Sequence, residues 1–143
     1  MNDSLQRAGV TLLINGDDLR PEELSVVLGV QPVLGVRKGE TFMSRGRSGT
    51  TVTARTGMWH FGTGDREPPN IDEQITELLG SLRDGADLWI DLTNRFSCYV
   101  TVGAWFTDDS WTGGLVLEPK ALGMLAERRL AIDFDMYAPG ASD

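Results

Sequence analysis

Cysteine and histidine are almost absent from this chain of 143 residues, which contains one of each, Cys98 and His60. A single cysteine excludes an intramolecular disulfide and a metal site built from several thiolates. Cys98 lies in a run of alternating apolar residues, which is typical of a buried, unreactive thiol. A serine–histidine–acid triad or a histidine-rich metal site would depend on His60. We therefore predict a non-enzymatic protein without a metal or a cofactor.

Long apolar runs are also lacking. No stretch approaches the roughly 20 apolar residues that a membrane-spanning helix needs. The N-terminus shows neither the basic segment nor the apolar core of a secretory signal. We therefore expect a cytoplasmic protein with no membrane partner. The length indicates a single domain over residues 1–143, and we predict flexible tails at residues 1–7 and 139–143.

Positive charge is scarce. The chain has 13 Lys and Arg residues and 21 Asp and Glu residues, which gives a net charge of −8. This charge repels phosphates and argues against a nucleic-acid partner. Residues 37–55 are the exception, since five basic residues and one acid give them +4 and leave −12 for the remainder. Glycine and serine in the same stretch predict a flexible basic loop over residues 40–56. The residues predicted to contact an anion or a partner are Arg37, Lys38, Arg45 and Arg47.

The apolar periodicity predicts an α+β fold. Alternation predicts strands at residues 10–14, 57–61, 88–93, 97–106 and 132–137, and shorter strands at residues 51–53 and 115–117. The runs at 88–93 and 97–106 are expected to form a hairpin. Helical spacing predicts three helices, which begin at Pro21, after the capping residue Asn70, and at Pro119. The prediction is one domain with a mostly antiparallel sheet and about three helices on one face.

One short pattern occurs twice. Leu19-x-Pro21-x-x-Leu24 has a counterpart around Pro119, where Leu122 takes the place of Leu24. Each copy describes a helix that begins at a proline, follows a strand and packs an apolar face on a sheet. We therefore predict that Leu24 and Leu122 both face the core. The repetition suggests a pseudo-duplicated, ferredoxin-like arrangement, and chance recurrence of a common helix start is the alternative.

The order of the motifs along the chain resembles that of a known family. The motifs are a strand ending in Gly16, Leu19-x-Pro21-Glu22-Glu23-Leu24, Leu28-Gly29-Val30-x-Pro32, Lys38-Gly39, Trp59, a helix from Pro119, and Ile132-Asp133-Phe134-Asp135-x-Tyr137. Over nearly the whole chain, this order is similar to the bacterial family called domain of unknown function 4279. The resemblance implies a small α+β domain, and it supplies no catalytic residues.

Two acidic segments are the predicted partner-binding residues. Asp133 and Asp135 lie two positions apart in a predicted strand, so both carboxylates share a face. Trp111 follows Asp108 and Asp109 in a turn-rich segment. A tryptophan ringed by polar groups is typical of a binding hot spot. Since an acidic surface accelerates capture of a cationic partner, we predict an immunity or antitoxin-like protein that neutralises a basic toxin.

Two other functions remain open. The protein could be a homo-oligomeric structural module, such as a homodimer, that pairs through an exposed edge or face of the sheet. It could instead be a small ligand-binding protein or an enzyme that uses His60 with Asp133 and Asp135. His60 lies between two aromatic residues in a predicted strand, where an imidazole usually has a structural role. The last alternative requires the three side chains to meet in one pocket.

Overall fold

The alternating apolar residues of the sequence form a five-stranded sheet that is covered by helices. A computed structural model describes residues 5–44, 49–107 and 115–138. The helices are α1 (Pro21–Leu28), α2 (Ile71–Gly80), α3 (Ala86–Arg95) and α4 (Pro119–Glu127). The strands are β1 (Leu5–Gly16), β2 (Leu34–Val36), β3 (Thr41–Met43), β4 (Thr51–Thr53), β5 (Gly57–Arg66), β6 (Ser97–Phe106) and β7 (Ala131–Tyr137).

The five-stranded sheet has the order β2-β5-β1-β6-β7. Its pairs are antiparallel except for β6 with β7, which run parallel around the crossover helix α4. When β3, β4 and α3 are treated as insertions, the series β1-α1-β2-β5-α2-β6 is that of the ferredoxin-like split βαβ unit, and α4 and β7 extend it at one edge. β3 and β4 form a separate hairpin. The predicted single α+β domain with a mostly antiparallel sheet is confirmed.

One face of the sheet is buried against the helices. Val10, Leu12 and Ile14 of β1 are fully buried, and they join apolar side chains of all four helices in one core cluster. Burial of this apolar area is the main force that holds the helices to the sheet. The alternate residues of β1 and β6 point to the opposite face and are only half-buried. No described helix packs on that side, which we call the open face.

The strand predicted at residues 88–93 is wrong, because this segment is α3. Its apolar residues fit both an alternating strand and a helix. The buried residues are Trp89 and Leu92, which are three apart as on one face of a helix, whereas Ile90 is 42% exposed. The predicted hairpin with residues 97–106 is therefore also wrong, and the described chain has four helices rather than three.

Several element boundaries differ from the prediction. The predicted flexible tail is wrong for residues 5–7, which belong to β1, and β5 runs on to Arg66 instead of ending at residue 61. Residues 115–117 form no strand. The predicted loop at residues 40–56 contains β3 and β4, so the short strand predicted at residues 51–53 is confirmed. The predicted tail at residues 139–143 lies outside the described residues.

The two copies of the repeated pattern are not equivalent. Both prolines begin helices, as predicted. Leu24 is 3% exposed, but its counterpart Leu122 is 49% exposed, so the prediction that Leu122 faces the core is wrong. α4 instead packs through Ala121 and Leu125. The repetition thus covers the proline start of a crossover helix and does not extend to the buried face.

Hydrogen bonds connect β1 to the C-terminal part of β5 and to α2. The pairing of these strands shifts register next to Gly9. There the Thr63 hydroxyl oxygen accepts a hydrogen bond from the Val10 N–H, at 3.2 Å. The Gln74 side chain of α2, which is fully buried, donates to the Ala8 carbonyl oxygen at 2.9 Å. The helix therefore holds the irregular strand pair in place from the core side.

Candidate functional site: the open face of the sheet

Strand pairing arranges the open face in four rows, of which one crosses β1, β6 and β7 and the other three also include β5. Neighbouring rows are about 7 Å apart, because two residues of a strand rise about 3.4 Å each. We call them the aromatic, glycine, threonine and histidine rows. Along β1, from Arg7 to Leu13, the four rows follow one another in that order. Their residues are Arg7–Trp105–Tyr137, Asp65–Gly9–Gly103–Asp135, Gly62–Thr11–Thr101–Asp133 and His60–Leu13–Tyr99–Ala131.

The aromatic row is a stack of three side chains. The Arg7 guanidinium carbon lies 4.0 Å from the Trp105 ring centroid, and the Tyr137 ring stacks on the same indole at 4.8 Å with an interplanar angle of 14°. The stack combines a cation–π contact with aromatic stacking. A methyl group placed on Gly103 would lie 3.0 Å from the Trp105 ring, so the indole edge overhangs that glycine. The row therefore forms a wall beside the glycine row.

The glycine row forms the floor of a trough. Gly9 and Gly103 bring no side chains to the middle of the row, and the trough has a volume of about 390 Å³. Asp65 and Asp135 stand at its two ends. The Asp65 carboxylate leans over Gly9 and lies 3.5 Å from the Arg7 guanidinium. One end of the trough thus has a charge-paired carboxylate.

Asp135 forms the other end of the trough, and Asp133 lies beside it in the threonine row. Asp133 and Asp135 are exposed on β7, and both belong to rows of the open face, as their spacing predicts. Asp135 accepts a hydrogen bond of 3.4 Å from the Thr101 hydroxyl. Among the residues described, no lysine or arginine forms an ion pair with either carboxylate. These two acids therefore leave a local negative charge on the open face.

The predicted basic contacts have acidic neighbours of their own. Arg37 forms an ion pair with Glu22, and the Lys38 ammonium lies 3.1 Å from the Asp17 carboxylate. The hydrogen bond from Lys38 lowers the pKa of Asp17 below its usual value, with a further contribution from Thr56. These contacts weaken the attraction of an external anion. Other predicted contact residues lie outside the described chain, namely Arg45, Arg47, Asp108, Asp109 and Trp111.

His60 does not join the acidic pair. It lies on β5, and its Nε2 is 3.1 Å from the Asn15 side-chain oxygen. Two strands, β1 and β6, separate it from Asp133 and Asp135 on β7. Three interstrand spacings of about 4.8 Å place β5 and β7 about 14 Å apart. The three side chains share the open face without meeting in one pocket.

Cys98 and the residue types that bind metals are the remaining candidate groups of the described chain. Burial raises the pKa of the Cys98 thiol to about 12, so the thiolate form is scarce near neutral pH. Within residues 5–44, 49–107 and 115–138, no group of three or more His, Cys, Asp or Glu side chains is placed to hold a metal ion. In the same ranges, no helix is long and apolar enough to cross a membrane.

Several residues of the open face were not singled out by their sequence. The alternation of β6 does assign Gly103 to the face away from the core, whereas Gly9 precedes the strand predicted at residues 10–14. The alternation does not indicate that the two glycines are cross-strand partners, because register depends on contacts between distant segments. Asp65 lies beyond the strand predicted at residues 57–61, so only the observed extent of β5 places it at the trough.

Comparison with known proteins identifies a family. No curated protein and no solved structure matches the chain. A family model described as a domain of unknown function, DUF4279, matches residues 6–139. The match spans all the described strands and helices except the first residue of β1. The chain therefore belongs to the DUF4279 family.

Proposed function

We propose that the protein is a non-enzymatic binding protein that captures a basic protein through the acidic end of its open face, in the manner of an immunity or antitoxin protein. The observation that carries this proposal is the exposed pair Asp133 and Asp135. Both lie on a sheet face that no described helix covers, and no described cation neutralises them. Their partner would therefore supply the missing positive charge.

Charge favours a basic partner at long and short range. The net charge of −8 attracts cationic proteins and raises their association rate at low ionic strength. At contact, Asp133 and Asp135 are about 7 Å apart along β7, so they can engage neighbouring basic side chains. The stacked Trp105 and Tyr137 rings beside them supply rigid apolar area of the kind found in binding hot spots.

The alternative functions have weaker support. A homodimer paired through the edge strand β7 would bring the carboxylates of two copies together, and like charges on paired strands are destabilising. An enzyme based on His60 and the acidic pair would need groups within hydrogen-bond reach, whereas β5 and β7 are about 14 Å apart. The open face thus fits capture of a different, basic protein best.

The test compares two charge-matched variants in partner capture. In one, Asp133→Asn and Asp135→Asn remove two charges from the open face. In the control, Asp87→Asn and Glu118→Gln remove two charges from exposed positions on the helical side. The bait is the tagged protein, and the prey are basic proteins of its native host, including the products of adjacent genes.

We expect the open-face variant to bind the captured partner at least about tenfold more weakly and the control to bind as the wild type does. Binding by the wild type should also weaken between about 0.05 and 0.5 M salt, because added ions screen exposed charges. Co-expression with the captured protein should restore growth when that protein is a toxin. Equal binding by both variants, or recovery of no basic partner, would contradict the proposal.

A further inference from the structure

We infer that the trough of the open face receives an arginine side chain, whose guanidinium binds Asp135. This inference rests on the proposed function and specifies the chemistry of the partner residue at the centre of the interface. The trough joins three features at one place: a glycine floor, an aromatic wall and a carboxylate without a cationic partner among the described residues.

The chain itself shows how a guanidinium is held on this face. Arg7 lies 4.0 Å from the centroid of the Trp105 ring and 3.5 Å from the Asp65 carboxylate. A ring and a carboxylate are the two groups that a guanidinium commonly engages at the same time. One end of the trough thus already contains this arrangement, formed by residues of the chain.

The opposite end has a carboxylate close in sequence to an aromatic ring, and no described cation lies with them. Asp135 is the last residue of the glycine row, and Tyr137, two residues on, belongs to the aromatic row. In the described part of the chain, no arginine or lysine pairs with Asp135. The hydrogen bond it accepts from Thr101 is long, at 3.4 Å, and can be exchanged for a charge-assisted bond.

The shape of the trough favours a flat cation. Gly9 and Gly103 project no side chains into the trough, and the Asp65 carboxylate borders the space over Gly9 as the Trp105 indole edge borders the space over Gly103. A guanidinium is planar and weakly hydrated, so it can enter the space that remains between these groups. A lysine ammonium is compact and strongly hydrated, and it loses more hydration on entry. The hydroxyls of Thr11 and Thr101 also line the trough, and their oxygens can accept hydrogen bonds from the remaining N–H groups of the guanidinium.

The test titrates the protein with three blocked tripeptides that differ only in the central residue: arginine, lysine and citrulline, which is a neutral isostere of arginine. Two-dimensional ¹⁵N NMR reports the amides of Gly9, Gly62 and Gly103 and the indole N–H of Trp105. We expect the arginine peptide to shift these signals, the lysine peptide to bind at least about fivefold more weakly, and the citrulline peptide not to bind.

Two variants test separately the charge of Asp135 and the shape of the trough. Asp135→Asn removes the anion, and we expect at least about tenfold weaker binding of the arginine peptide. Thr101→Leu keeps both carboxylates and fills the trough, and we expect it to abolish the glycine shifts. Asp87→Asn on the helical side is the matched control and should leave the titration unchanged. If Thr101→Leu unfolds, as thermal unfolding would reveal, Thr11→Leu fills the trough from β1 instead.

The inference is overturned if the lysine peptide binds as well as the arginine peptide, or if filling the trough leaves arginine binding intact. Either result leaves the proposed function standing, provided that the variant with Asn at positions 133 and 135 still loses the basic partner. Conversely, the proposed function fails when that variant captures the partner as the wild type does, whatever the peptides show.

Discussion

At the scale of single residues, Gln74 is the clearest case of a polar group that the fold requires. Its side chain is fully buried, donates to the Ala8 carbonyl oxygen and accepts from the Asn70 N–H at 3.0 Å. The Ala8 carbonyl lies beside the register shift between β1 and β5, and the Asn70 N–H lies at the start of α2, where backbone N–H groups have no partner within the helix. A buried polar group without a partner is costly, so this side chain stabilises the junction.

We therefore predict that Gln74→Met, which nearly preserves the volume, lowers the free energy of unfolding by about 2–3 kcal/mol. The control is Thr76→Ala on the same helix, which removes an exposed hydroxyl hydrogen bond to the Glu73 carbonyl and should cost less than about 0.5 kcal/mol. Urea denaturation followed by circular dichroism measures both. A loss below about 0.5 kcal/mol for Gln74→Met would mean that water satisfies the two backbone groups.

At the scale of elements, the two helices that begin with proline show that the repeated pattern predicts a helix start but not its buried face. α1 and α4 both have proline in the first turn and both connect strands of the sheet. They differ in rotation about the helix axis, because α1 packs through Leu24 and Leu28 while α4 packs through Ala121 and Leu125. The residues that begin a helix do not determine which of its faces the sheet will cover.

This difference gives a matched pair of substitutions. We predict that Leu24→Ala destabilises the protein by about 2–4 kcal/mol, since it removes a buried side chain and leaves a cavity. Leu122→Ala, at the corresponding position of α4, should change stability by less than about 0.5 kcal/mol. The two unfolding free energies are compared in urea. Equal losses would mean that the two copies of the pattern pack equivalently after all.

At the scale of the whole molecule, exposed ion pairs connect stability to pH. The hydrogen bond from Arg66, together with its charge, lowers the pKa of Glu77 in the folded protein. Lys38 and Thr56 lower the pKa of Asp17 in the same direction. A carboxyl whose folded pKa is lowered contributes stability above its unfolded pKa and loses it as the pH falls through the folded pKa. Both pairs are exposed, so solvent screening keeps each contribution small.

We predict that the unfolding midpoint of the wild type falls as the pH drops below the ordinary glutamate range of about 4.3. The Glu77→Gln variant lacks this ionisation, so its midpoint should fall less steeply over the same interval. Glu118→Gln is the control, because Glu118 forms no ion pair within the described chain, and it should follow the wild type. Identical curves for wild type and Glu77→Gln would show that the ion pair adds nothing to stability.

Much of the fold could be predicted because its signals are local. The alternation in β1, the proline starts of α1 and α4, and the capping residue Asn70 are readable within a few residues. Asn70 accepts the Glu73 N–H at 3.1 Å, as the capping pattern predicts. α3 was missed because a short apolar run fits both the strand period and the helix period, and burial by neighbouring elements decides between them.

Local sequence patterns are enough to place most elements of this protein, its acidic balance and the shared face of Asp133 and Asp135, since period and charge are properties of neighbouring residues. The alignment of Asp65, Gly9, Gly103 and Asp135 in one row follows from the three-dimensional fold alone. These four residues come from four strands, and their alignment depends on register between segments far apart in the chain. The open-face trough is therefore a product of strand pairing, which no local pattern specifies.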